Sequence, residues 1–151
     1  MAASDLFTRK EQDFLKTLLD EGVEFMVVGL AAAALQGVPA VTQDIDLWFA
    51  HRGDEKMIGA LRKAGVSYIP PSEHNPPLLV GEAADLFDVV AHMHGLGSFE
   101  EERAHAKIVK IGRMNLPVLS LQRIVASKEA TGRPKDLAIL PVLRDALRVI
   151  D

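Results

Sequence analysis

The chain has 151 residues, 48% of them hydrophobic, with a formal net charge of −4 and a pI of about 5.7. That length suits one domain with a real core, and the acidic balance is unlike a polybasic nucleic-acid-binding domain, leaving room only for a local patch of Lys and Arg. The absence of cysteine excludes disulfides, thiolate metal sites and a cysteine nucleophile.

The start, MAASDLFTRKEQDF, lacks the basic and then apolar order of a signal peptide. The longest apolar run, Phe25 to Leu35, is too short to span a bilayer. A soluble, cytoplasmic chain with no membrane contact is therefore expected. Residues Ser4 to Asp20 read as an amphipathic helix capped by Ser4 or Asp5, with Phe7, Phe14, Leu15, Leu18 and Leu19 at helical spacing. Glu21-Gly22 ends it. Glu24 to Val28 is the first strand, and Gly29 follows at its end.

The run from Leu30 to about Gln36 contains Ala31 to Ala34. Residues this small let a helix lie close to a sheet, and the free N–H groups at its start can hold a phosphate. A turn, Gly37-Val38-Pro39, leads to the strand IDLWF, with Asp44 and Asp46. Side chains alternate along a strand, so these two carboxylates project from one face and Ile45 and Leu47 from the other. Two close like charges raise each other's pKa, and a cation between them relieves this. Hard oxygen ligands of this kind suit Mg²⁺. Taken alone, an Asp-x-Asp on a strand is common, and Gly29 alone reads as a turn residue; their succession is the more specific signal.

Asp54 caps a helix over Glu55 to Ala64, with Met57, Ile58 and Leu61 inward and Gly65 at its C-terminus. Val66 to Ile69 reads as a strand. Pro70 to Pro77 is an exposed proline-rich loop with a solvated His74. Leu78 to Val80 is a short strand and Gly81 to Ala84 a turn. Asp85 to His92 is the next strand, with Asp88 between Phe87 and Val89. A charged carboxylate there needs a partner or an exposed sheet edge. If this strand lies beside the Asp44/Asp46 strand, Asp88 completes a three-carboxylate cluster. Asp85 is the rival, nearer the strand start and better solvated. His92 and His94 make a His-x-His with no Cys or third His near in sequence, which suits the rim of a cleft better than a zinc site.

Ser98 caps a short acidic helix over Phe99 to Ala106 whose Glu100, Glu101 and Glu102 read as a solvated first turn. Lys107 to Ile111 and Met114 to Leu119 form a hairpin around Gly112-Arg113. Ser120 caps a helix over Leu121 to Ala130. A turn over Gly132 to Asp136 leads into the last helix, Pro134 to Val149, where Pro141 can introduce a kink. The order implies an α/β or α+β domain over residues 1–151, its mixed sheet flanked by helices. The core covers about 23–119 and C-terminal helices about 120–150.

GLAAAALQGVPAVTQDIDLWF resembles the signature of the DNA-polymerase-β-like nucleotidyltransferase superfamily: Gly-Gly or Gly-Ser, a spacer, then Asp-x-Asp. Thirteen residues, Ala31 to Gln43, separate Leu30 from Asp44 here. The family's third carboxylate lies on a later strand, where FDVV places Asp88. LPVLSLQRIVASKEATGRPKDL is similar to the closing motif of small bacterial nucleotidyltransferases related to the AbiEii-type toxins, through Lys128, Gly132, Arg133, Lys135 and Asp136.

The resemblance implies the nucleotidyltransferase fold and transfer of a nucleoside monophosphate from an NTP to a hydroxyl. Mg²⁺ or Mn²⁺ would be held by Asp44, Asp46 and Asp88, the last able to act as base. Gly29 and Leu30 would lie against the phosphates, with Thr42 retained from the motif. Lys128, and Arg133 and Lys135 unless they serve as caps or salt bridges, would approach the triphosphate. It further implies an RNA or protein acceptor and a toxin–antitoxin setting with an antitoxin partner. Two positions depart from the pattern. Leu30 replaces the second Gly or Ser, and Ala40 stands where relatives often carry Arg. A catalytically silent nucleotide- or protein-binding module is the alternative.

Overall fold

A computed structural model describes residues 6–150. Its main sheet has five strands in the order β5-β2-β1-β7-β6: β1 Phe25–Val28, β2 Ile45–Phe49, β5 Phe87–Val90, β6 Ala106–Ile111 and β7 Met114–Leu119. β1 and β2 are antiparallel, with Val28 opposite Asp46. β7 lies parallel to β1, β5 parallel to β2, and β6 closes a hairpin onto β7. The sheet is therefore mixed, as the alternation of elements implies.

Packing follows side-chain size. α2, Gly29–Leu35, lies against β1, β2 and β7, and its buried Ala31, Ala32 and Ala33 allow the close approach. α5, Leu121–Thr131, packs on α2, and α6, Pro134–Ile150, on α5. Gln36 joins these layers. Its side-chain amide donates to the carbonyls of Ala32 and Leu119, and its oxygen accepts the Leu121 N–H at 3.2 Å. Ser120 occupies the N-cap position of α5 but makes no side-chain cap bond; Gln36 instead takes up the N–H of Leu121, the first residue of the helix.

Several boundaries differ from the sequence expectation. α1 covers Arg9–Asp20 and is capped by Thr8, whose hydroxyl accepts from Glu11 N–H while the Glu11 carboxylate accepts from Thr8 N–H. Ser4 and Asp5, the expected caps, lie outside the described residues. Phe7 precedes the cap and stacks on Phe87 of the edge strand. α3, Glu55–Lys63, buries Met57, Ala60 and Leu61 but leaves Ile58 exposed. β3, Ser67–Ile69, pairs with β4, Leu78–Val80, in a separate two-stranded sheet.

The acidic helix shortens to α4, Phe99–Glu102, followed by a 3-10 turn over Arg103–His105. Its third glutamate is not solvated: Glu102 is 4% exposed and paired bidentately with Arg123 at 2.7 and 2.9 Å. Pro141 lies inside α6. No helix among the described residues is long and apolar enough to cross a membrane.

Candidate functional site

The site is built where β1 gives way to α2. The turn requires Gly29, which takes φ +70°, a conformation L side chains rarely adopt. A Cβ placed there would come within 2.8 Å of Asp46 Oδ2. The backbone of residue 29 and the Asp46 carboxylate therefore sit face to face. Gly29→Ala is expected to cost about 1 kcal/mol or more from the dihedral alone and to displace Asp46. Thermal melting reads the first effect, and weaker metal binding the second.

Asp46 stands opposite Asp88 in the parallel register of β2 and β5. Residues opposite one another share a sheet face, so the two carboxylates lie on the same side. β5 is the edge strand, and Asp88 alternates with buried Phe87 and Val89. Asp88 is thus both the exposed edge carboxylate and the neighbour of Asp46, which were separate possibilities in the sequence. Asp44 does not belong to β2; it precedes the strand and is exposed. Thr42 Oγ1 donates to the Asp44 carbonyl at 2.8 Å, a local turn that fixes the backbone beside this aspartate.

Electrostatics ties these groups together. Burial pushes the Asp46 carboxyl above its ordinary value, Asp88 and Asp44 push it further, and Lys128 and Lys135 oppose them. Burial and then Asp44 raise the Asp88 carboxyl as well. Carboxylates whose charged forms disfavour one another have the chemistry that attracts a hard divalent cation. Asp44, Asp46 and Asp88 do not converge to that closeness: among the described residues, only Glu24, His51 and Glu100 bring three ligand atoms within 4.8 Å of one another. That exposed group lies at the opposite end of β1, and Arg103 already donates to both of its carboxylates.

The cations arrive from the C-terminal helices. Lys128 Nζ donates to Asp136 Oδ1 at 3.0 Å, and Arg133 Nε to Asp136 Oδ2 at 2.9 Å. Arg133 is thus engaged in the salt bridge that the sequence left open for it. Lys135 is exposed, and its charge reaches Asp46. Leu30 and Ala40, the two departures from the motif, are partly buried and packed against the core. His92 and His94 stack at 5.5 Å beyond β5, and among the described residues no third ligand completes a metal set with them.

Asp136 is buried, which the sequence expectation does not include. A signal was present: Asp136, Leu140 and Leu143 are the buried residues of α6, at i, i+4 and i+7, the spacing of one helical face.

Solved structures share this architecture. The solution structure of the antibiotic-resistance factor ANT(2'')-Ia matches over 91% of this chain and 82% of its own, with a TM-score of 0.61 at 13% identity. The crystal structure of ANT(2'')-Ia in complex with adenylyl-2''-tobramycin gives 0.61 at 14% identity, over 90% of this chain and 86% of its own. A proposed nucleotidyltransferase of Thermotoga maritima, TM1012, gives 0.58 at 21% identity, over 91% and 89%. The fold is that of the nucleotidyltransferases. No protein-family model and no curated protein sequence matches the chain.

Proposed function

We propose that this protein is a metal-dependent nucleotidyltransferase that moves a nucleoside monophosphate from an NTP to a hydroxyl. One observation carries the reading: Asp46 and Asp88 face each other across β2 and β5, with Gly29 opened against Asp46. The fold shared with ANT(2'')-Ia, solved in complex with an adenylylated compound, supports it.

Mg²⁺ or Mn²⁺ held by Asp44, Asp46 and Asp88 would neutralise the triphosphate and activate the acceptor oxygen. Asp88, exposed on the edge strand, would receive the acceptor's proton. Asp46 lies deeper, against the Gly29 turn, where a side chain would run into its carboxylate; the backbone there would lie against the phosphates. Lys128 and Lys135 supply positive charge on the side of the C-terminal helices. Arg133 contributes through Asp136, and Thr42 by holding the backbone at Asp44.

The acceptor is an RNA or protein hydroxyl, and the closing motif Lys128, Arg133, Lys135 and Asp136 favours the AbiEii-related branch, with an antitoxin partner and a cytoplasmic setting. The net charge of −4 disfavours tight non-specific RNA binding. The silent-module alternative has its own observation: Leu30 and Ala40 supply apolar packing at two positions the motif reserves for phosphate contacts.

Incubation with each labelled NTP, Mn²⁺ or Mg²⁺, and total RNA or cell extract separates the two. Label transfer that disappears in Asp46→Ala supports the enzyme. Neither transfer nor metal-dependent NTP binding by the wild type leaves the silent module.

A further inference from the structure

Asp136 is 1% exposed and sits on the α6 face that also buries Leu140 and Leu143. A lone carboxylate in such a place is costly unless paired and hydrogen-bonded. Two cations meet it, and they differ. Arg133 comes from the residue just before α6, three positions from Asp136, with a side chain 70% exposed. Lys128 comes from α5, which packs on the α2 helix that begins at Gly29; its side chain is only 20% exposed, and its charge reaches Asp46 in the carboxylate site. Arg133 already gives Asp136 a charged partner through a contact three residues away. The bond to Lys128 adds something else: it crosses between helices and restrains a long, flexible side chain at a chosen place.

We propose that Asp136 is a positioning residue, holding the Lys128 ammonium toward the triphosphate side of the Asp44/Asp46/Asp88 site, while Arg133 balances the remaining charge of the buried carboxylate. This rests on the nucleotidyltransferase reading above. Lys128 then meets an incoming polyphosphate already oriented, and part of the ordering cost of binding is removed in advance. Arg133, largely in solvent, adds little to that affinity.

The test measures binding of inorganic tripolyphosphate with Mn²⁺ by calorimetry, alongside the acetylation rate of Lys128 read by mass spectrometry. Asp136→Asn and Lys128→Met are expected to weaken tripolyphosphate binding by about tenfold or more, as for loss of a bond to a charged group. Arg133→Met should weaken it by less than about twofold, and Asp136→Glu should restore part of the loss. Lys128 should acetylate several-fold faster in Asp136→Asn, with Lys16 unchanged, an effect that general loosening would not confine to one lysine. Wild-type binding that Asp136→Asn leaves intact, or unaltered Lys128 labelling in that variant, overturns the positioning role alone. Absence of tripolyphosphate binding in the wild type overturns the donor reading and this role with it. If Asp136→Asn does not fold, equal losses in Lys128→Met and Arg133→Met overturn the proposal, and a loss confined to Lys128→Met supports it.

Discussion

Replacing Asp46 by asparagine is expected to cut nucleotidyl transfer by about a hundredfold or more and, in the same protein, to raise the melting temperature measured without metal. The two effects share one origin. Asp46 is partly withdrawn from water, faces Asp88, and lies within electrostatic reach of Asp44. Its folded carboxyl is raised above the ordinary 3.8, so the folded state holds that proton more tightly than the unfolded state does. The protonated group therefore favours folding at low pH, and this contribution is lost as pH rises from about the ordinary value through the raised one. At neutral pH the ionised carboxylate opposes folding, and asparagine, similar in shape and uncharged, removes that opposition. Divalent metal reverses the balance only where the full carboxylate set is present. Mn²⁺ should therefore raise the wild-type melting temperature and leave Asp46→Asn nearly unmoved. A lower metal-free melting temperature in the variant would make Asp46 a structural group, and retained transfer would remove it from the chemistry.

The elements that were legible in sequence are those fixed by local rules. The stretch from Phe25 to Phe49 announces a strand, a small-residue helix and a second strand through hydrophobic runs and a glycine, and β1, α2 and β2 stand there. The pairing of Asp46 with Asp88 could be posed as a condition, because strand alternation restricts which side chains share a face, but not which strands become neighbours. For the same reason β3 and β4 gave no sign that they would leave the main sheet and pair together. The start of α1 differs from the expectation because Ser4, Asp5 and Thr8 are all good capping residue types. Glu11, three residues after Thr8, completes the box that decides between them. Glu102 read as solvated because its partner, Arg123, is 21 residues away. Long-range ion pairs and buried charges are the features local periodicity leaves out, and buried Asp136, paired with Lys128 from the preceding helix, is another of them.

That buried pairing makes Asp136→Ala the largest expected loss of stability, about 3 kcal/mol, or a drop of about 8 °C in melting temperature for a chain of this length. Burial would push the Asp136 carboxyl up, but Arg133, Lys128 and Thr131 overcome it and hold it at about 2, below the usual 3.8. A depression of that size corresponds to about 2.5 kcal/mol of stability at neutral pH. It is fully present above the ordinary carboxylate range and is lost as pH falls from about 4 through 2. Wild-type unfolding should therefore steepen with acid in that window, and Asp136→Ala should lack this component. The loss falls near the lower end for a broken buried pair because Arg133 is mostly in solvent and rehydrates freely. Lys128, with a side chain 20% exposed, bears most of the penalty. Removing the stranded charge should then recover stability: the double variant Lys128→Met with Asp136→Leu is expected to melt above Asp136→Ala, since an apolar pair of similar volume can replace a buried ion pair with little loss. That double variant should still lack the tripolyphosphate affinity assigned to Lys128, separating what the pair does for the fold from what it does for the site. Equal stability of wild type and Asp136→Ala across the acid range would show that the carboxylate is not the anchor of these two helices.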